Sequence, residues 1–203
     1  MNRQTVVASM LIGFAFSSIG MSQQPAETDM RHMIELSKPG ENHKVLNELV
    51  GEWRFTGKHF SDDPNQKPLE FRGTFTRKPV WGGRYFLTET TGEKLKMPWS
   101  DGPEVPYKDM SLEGYDNAKE RFVRAMIDNH WDTGILSSEG TYDRIRNTIT
   151  FVGEVESEPG IRVKTRMVLK IIGRDQYIEE GYEDHNGHEV KVTELDYTRT
   201  NVN

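Results

Sequence analysis

Alternate positions of one predicted strand carry side chains that can bind or catalyse. Arg124, Met126 and Asp128 share one face of the strand predicted at 120–129, because successive side chains of a strand point to opposite faces. If this face is interior, a cation and a carboxylate lie in an enclosed space, where each requires the other or a polar ligand. The greater apolar content of the opposite face slightly favours the reverse orientation. That opposite face consists of Val123, Ala125 and Ile127.

A second pair of polar side chains follows Ile178 at alternate positions. Glu180 and Tyr182 can line an interior, where they would fix a polar head group or act as acid and base. A cross-strand or surface salt bridge is the simpler interpretation of Glu180. Catalysis requires a positioned partner, which the sequence does not locate.

Aromatic residues near turns predict the wall of a small-molecule pocket. Trp81, Trp99 and Trp131 lie next to turns or in the longest connection, where a ligand could reach them. Core packing is the alternative use of such side chains. The predicted ligand-contacting residues are Trp81, Tyr85, Trp99, Arg124, Met126, Asp128, His130, Trp131, Glu180 and Tyr182.

Two histidines flank a favoured hairpin turn. His185 and His188 lie on either side of Asn186-Gly187, close enough across a hairpin to share a divalent cation. Two ligands on an exposed turn are too few for a stable site, so no metal site is predicted. The sequence also lacks nucleotide-binding loops, a nucleophile elbow and a catalytic cysteine, so no catalytic residues are assigned.

Charge and cysteine content exclude several classes of protein. The net charge of -6 and pI near 5.6 disfavour nucleic acid as a partner, because binding to phosphates needs clustered Lys and Arg. No cysteine is present in the 203 residues, so neither a disulfide nor a lipid anchor at a cleavage-site cysteine is expected.

Residues 1–22 have the three zones of a secretory signal peptide. Arg3 lies in a short polar start, residues 6–19 are mainly apolar, and small residues follow. Cleavage is expected after Gly20 or Ser22. The mature protein is therefore predicted to be periplasmic or extracellular and free of the membrane.

The rest of the chain divides into a linker and one all-β domain. Residues 23–41 are polar and interrupted by prolines, which predicts a flexible linker, and residues 42–203 form the domain. A short helix is predicted to start at a cap residue, Asn42, to end at Gly51 and to plug one end of a barrel. The connection 94–107 is predicted to be a flap. Strands are predicted at 51–60, 68–79, 84–92, 108–116, 120–129, 134–142, 148–156, 161–172, 176–184 and 188–199.

Closure of these strands removes the exposed sheet edges and gives an antiparallel up-and-down barrel of about ten strands. The Gly51-Glu52-Trp53 motif on the first strand and Arg199 on the last resemble the lipocalin and calycin arrangement, in which an arginine covers a tryptophan at one barrel end. The sequence therefore predicts barrel closure through Trp53 and Arg199.

Six segments, the first and last of which contain Trp53 and Arg199, resemble the bacterial domain-of-unknown-function family 1579, which implies a lipocalin-like barrel of unestablished activity. Some related small barrels bind haem through a histidine near the end of the last strand. Residues 190–199 contain no histidine, so haem is disfavoured, His130 is the only substitute, and no cofactor is predicted. The six segments are HKVLNELVGEW, VWGGRYFLTE, EGYDNAK, FVRAMIDN, SEGTYD and TELDYTR.

These observations favour an exported protein that binds a small apolar or amphipathic molecule inside its barrel. One alternative is an enzyme that uses Asp128 or Glu180 as a proton carrier. Another is a filled barrel that acts as a protein-interaction module. An open interior separates the first two from the third.

Overall fold

The computed structural model describes residues 27–61, 63, 65–96, 101–130 and 134–200. Within them, ten antiparallel strands form a closed barrel in which each strand pairs with its neighbours in sequence. The first strand pairs with the last and completes the ring. The predicted calycin-like architecture is confirmed.

The strand boundaries differ from the predicted ones by at most three residues. The two central residues of the Asn186-Gly187 turn both have positive φ, as a type I′ hairpin turn requires. The strands are β1 (Gly51–His59), β2 (Leu69–Val80), β3 (Tyr85–Leu95), β4 (Val105–Asp116), β5 (Arg121–Asp128), β6 (Leu136–Asp143), β7 (Thr148–Glu158), β8 (Ile161–Gly173), β9 (Gln176–His185) and β10 (His188–Arg199).

A short helix covers one end of the barrel. Helix α2 (Glu41–Asn47) buries Leu46, and Leu49 is buried just after it, so their apolar side chains close the interior at this end. The predicted cap at Asn42 is wrong. The cap is Gly40, two residues earlier, where His43 reaches back and accepts a hydrogen bond from the Gly40 N–H at 3.0 Å.

A second helix, α1 (Glu27–Leu36), lies in the segment predicted to be a linker. The Asn117 side chain donates hydrogen bonds to the carbonyls of Leu36 and Lys38, at 2.8 and 2.9 Å, and so attaches the end of α1 to the β4–β5 turn. No helix among the described residues is long and apolar enough to cross a bilayer.

The predicted contact between Trp53 and Arg199 is present. The two residues are directly opposite on β1 and β10, and the guanidinium carbon lies 4.2 Å from the centre of the indole ring. Arg199 also donates to the carbonyls of Val50 and Glu48, at 2.5 and 2.8 Å. Only glycine fits at position 51, where φ is +137° and an added Cβ would lie 2.5 Å from Arg199 Nη1.

The hydrophobic core fills the half of the barrel next to α2. Trp53 and Phe86 are fully buried, and the remaining core side chains are almost fully covered. The other half is lined differently, and it contains the candidate site. The largest buried apolar side chains of the core are Trp53, Phe86, Phe122, Phe151, Leu46, Leu49, Ile149 and Leu169.

Candidate functional site

The barrel half opposite α2 encloses a cavity of about 260 Å³. Its wall reaches the strand ends at His59, Leu69 and Leu95, so it extends to the end of the barrel that α2 does not cover. Among the described residues the interior is therefore not completely filled. Its aromatic lining consists of Phe55, Phe71, Phe75, Tyr107, Phe151, Tyr177, Tyr182 and Tyr197.

Strand β5 presents its polar face to this cavity. Arg124, Met126 and Asp128 line it, whereas Ile127 points to the outside and is 44% exposed. The apolar content of β5 slightly favoured the opposite orientation, with Val123, Ala125 and Ile127 inside, and this orientation is wrong. The reason is pairing: Arg124 is opposite Glu113 on β4, so its charge is balanced by a neighbour that lies outside the β5 sequence.

A row of four alternating charges forms the floor of the cavity. Arg77 forms an ion pair with Glu113, and its Nε donates to the Thr88 hydroxyl at 3.1 Å. Arg124 Nη1 lies 3.2 Å from Glu179 Oε2. Arg77, Glu113 and Glu179 were not predicted, because the four residues of this row come from four different strands and no local spacing reveals them. We call Arg77, Glu113, Arg124 and Glu179 the charged floor.

The floor holds Arg124 in the charged state. Burial opposes ionisation of Arg124, but Glu179 and Glu113 outweigh it and raise its pKa above the ordinary value. Burial raises the pKa of the Tyr177 and Tyr197 hydroxyls well above 10. These tyrosines therefore stay neutral and can donate hydrogen bonds within the cavity wall.

Two carboxyl groups lie above the floor. Asp109 and Asp128 are directly opposite each other on β4 and β5, and both line the cavity. Burial raises the pKa of Asp109 and outweighs the hydrogen bonds from Thr90 and Tyr107 and the charge of Arg124, which lower it. Burial, together with the charges of Asp109 and Asp128, also raises the pKa of Tyr107. At this level of the cavity the Tyr107 phenol is therefore neutral, and burial disfavours the charged form of the Asp109 carboxyl group.

The two members of the second predicted polar pair differ: Tyr182 lines the cavity, whereas Glu180 does not. Glu180 forms ion pairs with Lys170 and Lys191, at 2.6 and 2.8 Å, and accepts a hydrogen bond from the Tyr182 hydroxyl at 3.0 Å. The Tyr182 ring also stacks beneath the Arg166 guanidinium at 4.1 Å. An interior role for Glu180 is thus wrong, and its interpretation as a cross-strand ion pair is confirmed.

Two of the predicted pocket aromatics are at the wrong end. Trp81 is 76% exposed in a single 3-10 turn between β2 and β3, and it contacts Tyr85 edge-to-face. Both lie at the α2 end, away from the cavity, because the β2–β3 turn is on that side of the barrel. The predicted ligand contacts Trp99 and Trp131 lie outside the described residues.

His130 is buried next to the cavity wall without lining it. Its ring centre is 5.4 Å from that of Tyr107, and its backbone N–H donates to Asp128 Oδ1 at 2.6 Å. His185 and His188 are paired in the β9–β10 hairpin, and His185 Nε2 lies 3.0 Å from Glu183. Among the described residues, no three side chains are grouped as metal ligands.

A family model described as "Protein of unknown function (DUF1579)" matches residues 38–199, a range that includes all ten strands. The chain belongs to this family. The prediction made from the six sequence segments is therefore confirmed. The description of this family leaves its activity open. No curated protein matches the chain significantly.

Two solved structures show the same fold. An S-type phycobiliprotein lyase, CPES from Guillardia theta, has a TM-score of 0.53 at 9% identity, over 83% of this chain and 98% of that one. Rv2717c from M. tuberculosis also has a TM-score of 0.53, at 12% identity, over 81% of this chain and all of that one. At these identities, the similarity concerns the barrel architecture.

Proposed function

We propose that this DUF1579 member is an exported protein that binds a small, largely apolar molecule inside its barrel. The observation that carries the proposal is the cavity in the barrel half opposite α2, which has an aromatic wall and the polar side chains of the charged floor at its base. This combination is the usual lining of a small-molecule site.

The aromatic wall supplies the apolar contact. Tyr177 and Tyr197 stack with ring centres 4.3 Å apart, and Phe75 meets Tyr197 edge-to-face at 5.3 Å. Rings fixed in this way lose little additional conformational freedom when a ligand binds, so contact with them is favourable. At about 260 Å³ the cavity suits a small ligand.

The export part of the proposal rests on the sequence alone. Residues 1–22 combine a basic start, an apolar stretch and small residues, and the chain has no cysteine for a lipid anchor. The binding domain would then act in the periplasm or outside the cell, where it would carry its ligand without being attached to a membrane.

A neutral fluorescent probe, N-phenyl-1-naphthylamine, tests the binding site. Ser138 lines the cavity opposite Arg124, so Ser138→Phe fills the space, and we expect it to weaken probe binding at least about tenfold, or about 1.4 kcal/mol. Val152→Phe adds the same ring on the exposed outer face of β7 and is the matched control. Equal binding by both variants would contradict the proposal.

Acid–base catalysis in the same cavity is a second candidate. The opposed carboxyl groups of Asp109 and Asp128 favour it, because both line the cavity and burial raises the pKa of Asp109. One protein of this fold is named a lyase. The test is to follow the extracted native ligand by mass spectrometry: Asp128→Asn should stop its conversion while leaving its binding intact. An unchanged ligand after incubation with the native protein would count against catalysis.

A further inference from the structure

The charged floor leaves two buried N–H groups without acceptors. Among the described residues, Arg77 Nη1 and Arg124 Nε have no hydrogen-bond partner, although the Arg77 side chain is only 3% exposed. Arg124 Nε is 3.5 Å from Glu113 Oε1, within ion-pair distance but not aligned for a hydrogen bond. A buried donor without an acceptor is unfavourable by about 1–3 kcal/mol.

The remaining contacts of Arg124 are weak and replaceable. Its Nη2 lies 3.5 Å from the Met126 sulfur, and its Nη1 also contacts the Met167 sulfur. A thioether is a poor acceptor, and the unbranched methionine side chain changes rotamer easily. Both methionines line the cavity, so an oxygen atom from a ligand can displace a sulfur and bind the guanidinium.

The charges of the cavity wall argue against an anionic ligand. Three arginines line it, Arg77, Arg124 and Arg166, against the six carboxyl groups of Asp109, Glu113, Asp128, Glu154, Glu179 and Glu183. The difference, 3 − 6, is −3 when all are ionised. With Asp109 protonated, five carboxylates still face three arginines, so a ligand carboxylate would be repelled as it loses its water.

A cationic group fits the floor no better. The unpartnered atoms at this depth are guanidinium donors, and an ammonium group would lie against them without supplying an acceptor. Both oxygens of Glu113 and one of Glu179 are already in contact with arginine nitrogens. The floor therefore needs an acceptor that carries no charge.

We propose that the ligand presents an uncharged oxygen acceptor of the carbonyl type, such as a ketone, ester or amide, to Arg124 and Arg77, with its apolar body against the aromatic wall. This inference rests on the proposed function and adds the chemical class of the ligand.

Three probes with the same ten-carbon chain separate the ligand classes: 2-decanone, decanoate and decylamine. Each is titrated against the protein loaded with N-phenyl-1-naphthylamine at pH 7. We expect 2-decanone to bind at least about tenfold more tightly than either charged probe. Equal or tighter binding of decanoate or decylamine would overturn the inference while the binding function stands. If none of the four compounds binds, both proposals fail.

The infrared carbonyl stretch of bound 2-decanone reports the contact itself. We expect it at a lower wavenumber than in an apolar solvent, because the guanidinium donates to the carbonyl oxygen. Arg124→Met/Glu179→Met removes one charge of each sign and should return the band toward its apolar value. The control, Lys119→Met/Glu139→Met, removes an exposed ion pair and should leave the band unchanged.

Should the interior double variant fail to fold, Arg124→Lys replaces it. Lysine keeps the charge but has no planar fork of donors, so the band should move and the preference for 2-decanone should decrease. A band in the native protein that matches the apolar solvent would overturn the inference whatever the variants do.

Discussion

Replacing Arg199 by methionine tests how the barrel is closed. Methionine keeps a long apolar side chain over Trp53 but removes the guanidinium, which stacks on the indole and donates to the carbonyls of Val50 and Glu48. The Arg199 Nε also lies 3.1 Å from Asp175 Oδ1, so the variant loses an ion pair at the same point.

The expected loss follows from these contacts. A desolvated cation–π contact contributes about 0.5–2 kcal/mol, and each hydrogen bond from a charged donor contributes about 1.5–3 kcal/mol. Water can reach some of the freed carbonyls, so we expect a decrease of about 3–5 kcal/mol in the free energy of unfolding. A domain of this kind has about 5–15 kcal/mol in total, so the effect should be large.

Urea denaturation, followed by tryptophan fluorescence and far-UV circular dichroism, measures this loss. The midpoint should fall while the slope of the transition stays constant, because the folded barrel is the same. Arg54→Met, at an exposed position next to Trp53, is the control and should change stability by less than about 0.5 kcal/mol. A loss below about 1 kcal/mol for Arg199→Met would refute the proposed role of this contact.

The remaining predictions concern ionisation and export. Burial opposes the ionisation of Glu180, but hydrogen bonds from Lys170 on β8 and Lys191 on β10 lower its pKa from 4.5 to about 2. Glu180→Gln should therefore destabilise the protein by about 1–2 kcal/mol above pH 4.5, less than the full pKa shift implies because water reaches both lysines, and the difference in urea stability should shrink as the pH falls and nearly vanish at pH 2. A gap that persists at pH 2 would contradict this. The pKa of Asp109 is raised, so its ionisation disfavours folding at higher pH. Asp109→Asn should therefore raise the melting temperature at pH 7 and give no gain below pH 3.8. A lower melting temperature of this variant at pH 7 would contradict the prediction. Intact-mass measurement of protein from the periplasm or medium should show a chain that begins at Met21 or Gln23, and an uncleaved chain would contradict export.

Local patterns were sufficient to predict the fold. Alternation along β8, where Met167, Leu169 and Ile171 face inward, and turn residues at regular intervals specify strands and hairpins from near neighbours alone. The Trp53 and Arg199 pair could be predicted because the closure of such a barrel brings its first and last strands together.

The charged floor could not be predicted in the same way. An unpaired Arg124 inside the barrel would be unfavourable, so the apolar content of β5 favoured the wrong face. Glu113 on β4 and Glu179 on β9 neutralise its charge and make the inward orientation favourable. Likewise, Trp81 sits beside a turn, as expected, but a turn residue alone does not indicate which end of the barrel it occupies.

Native mass spectrometry of the protein purified from its own host tests the binding function most directly. One small molecule should dissociate from the native protein and from Val152→Phe, and none from Ser138→Phe. A native protein without ligand, or equal occupancy in Ser138→Phe, would contradict it.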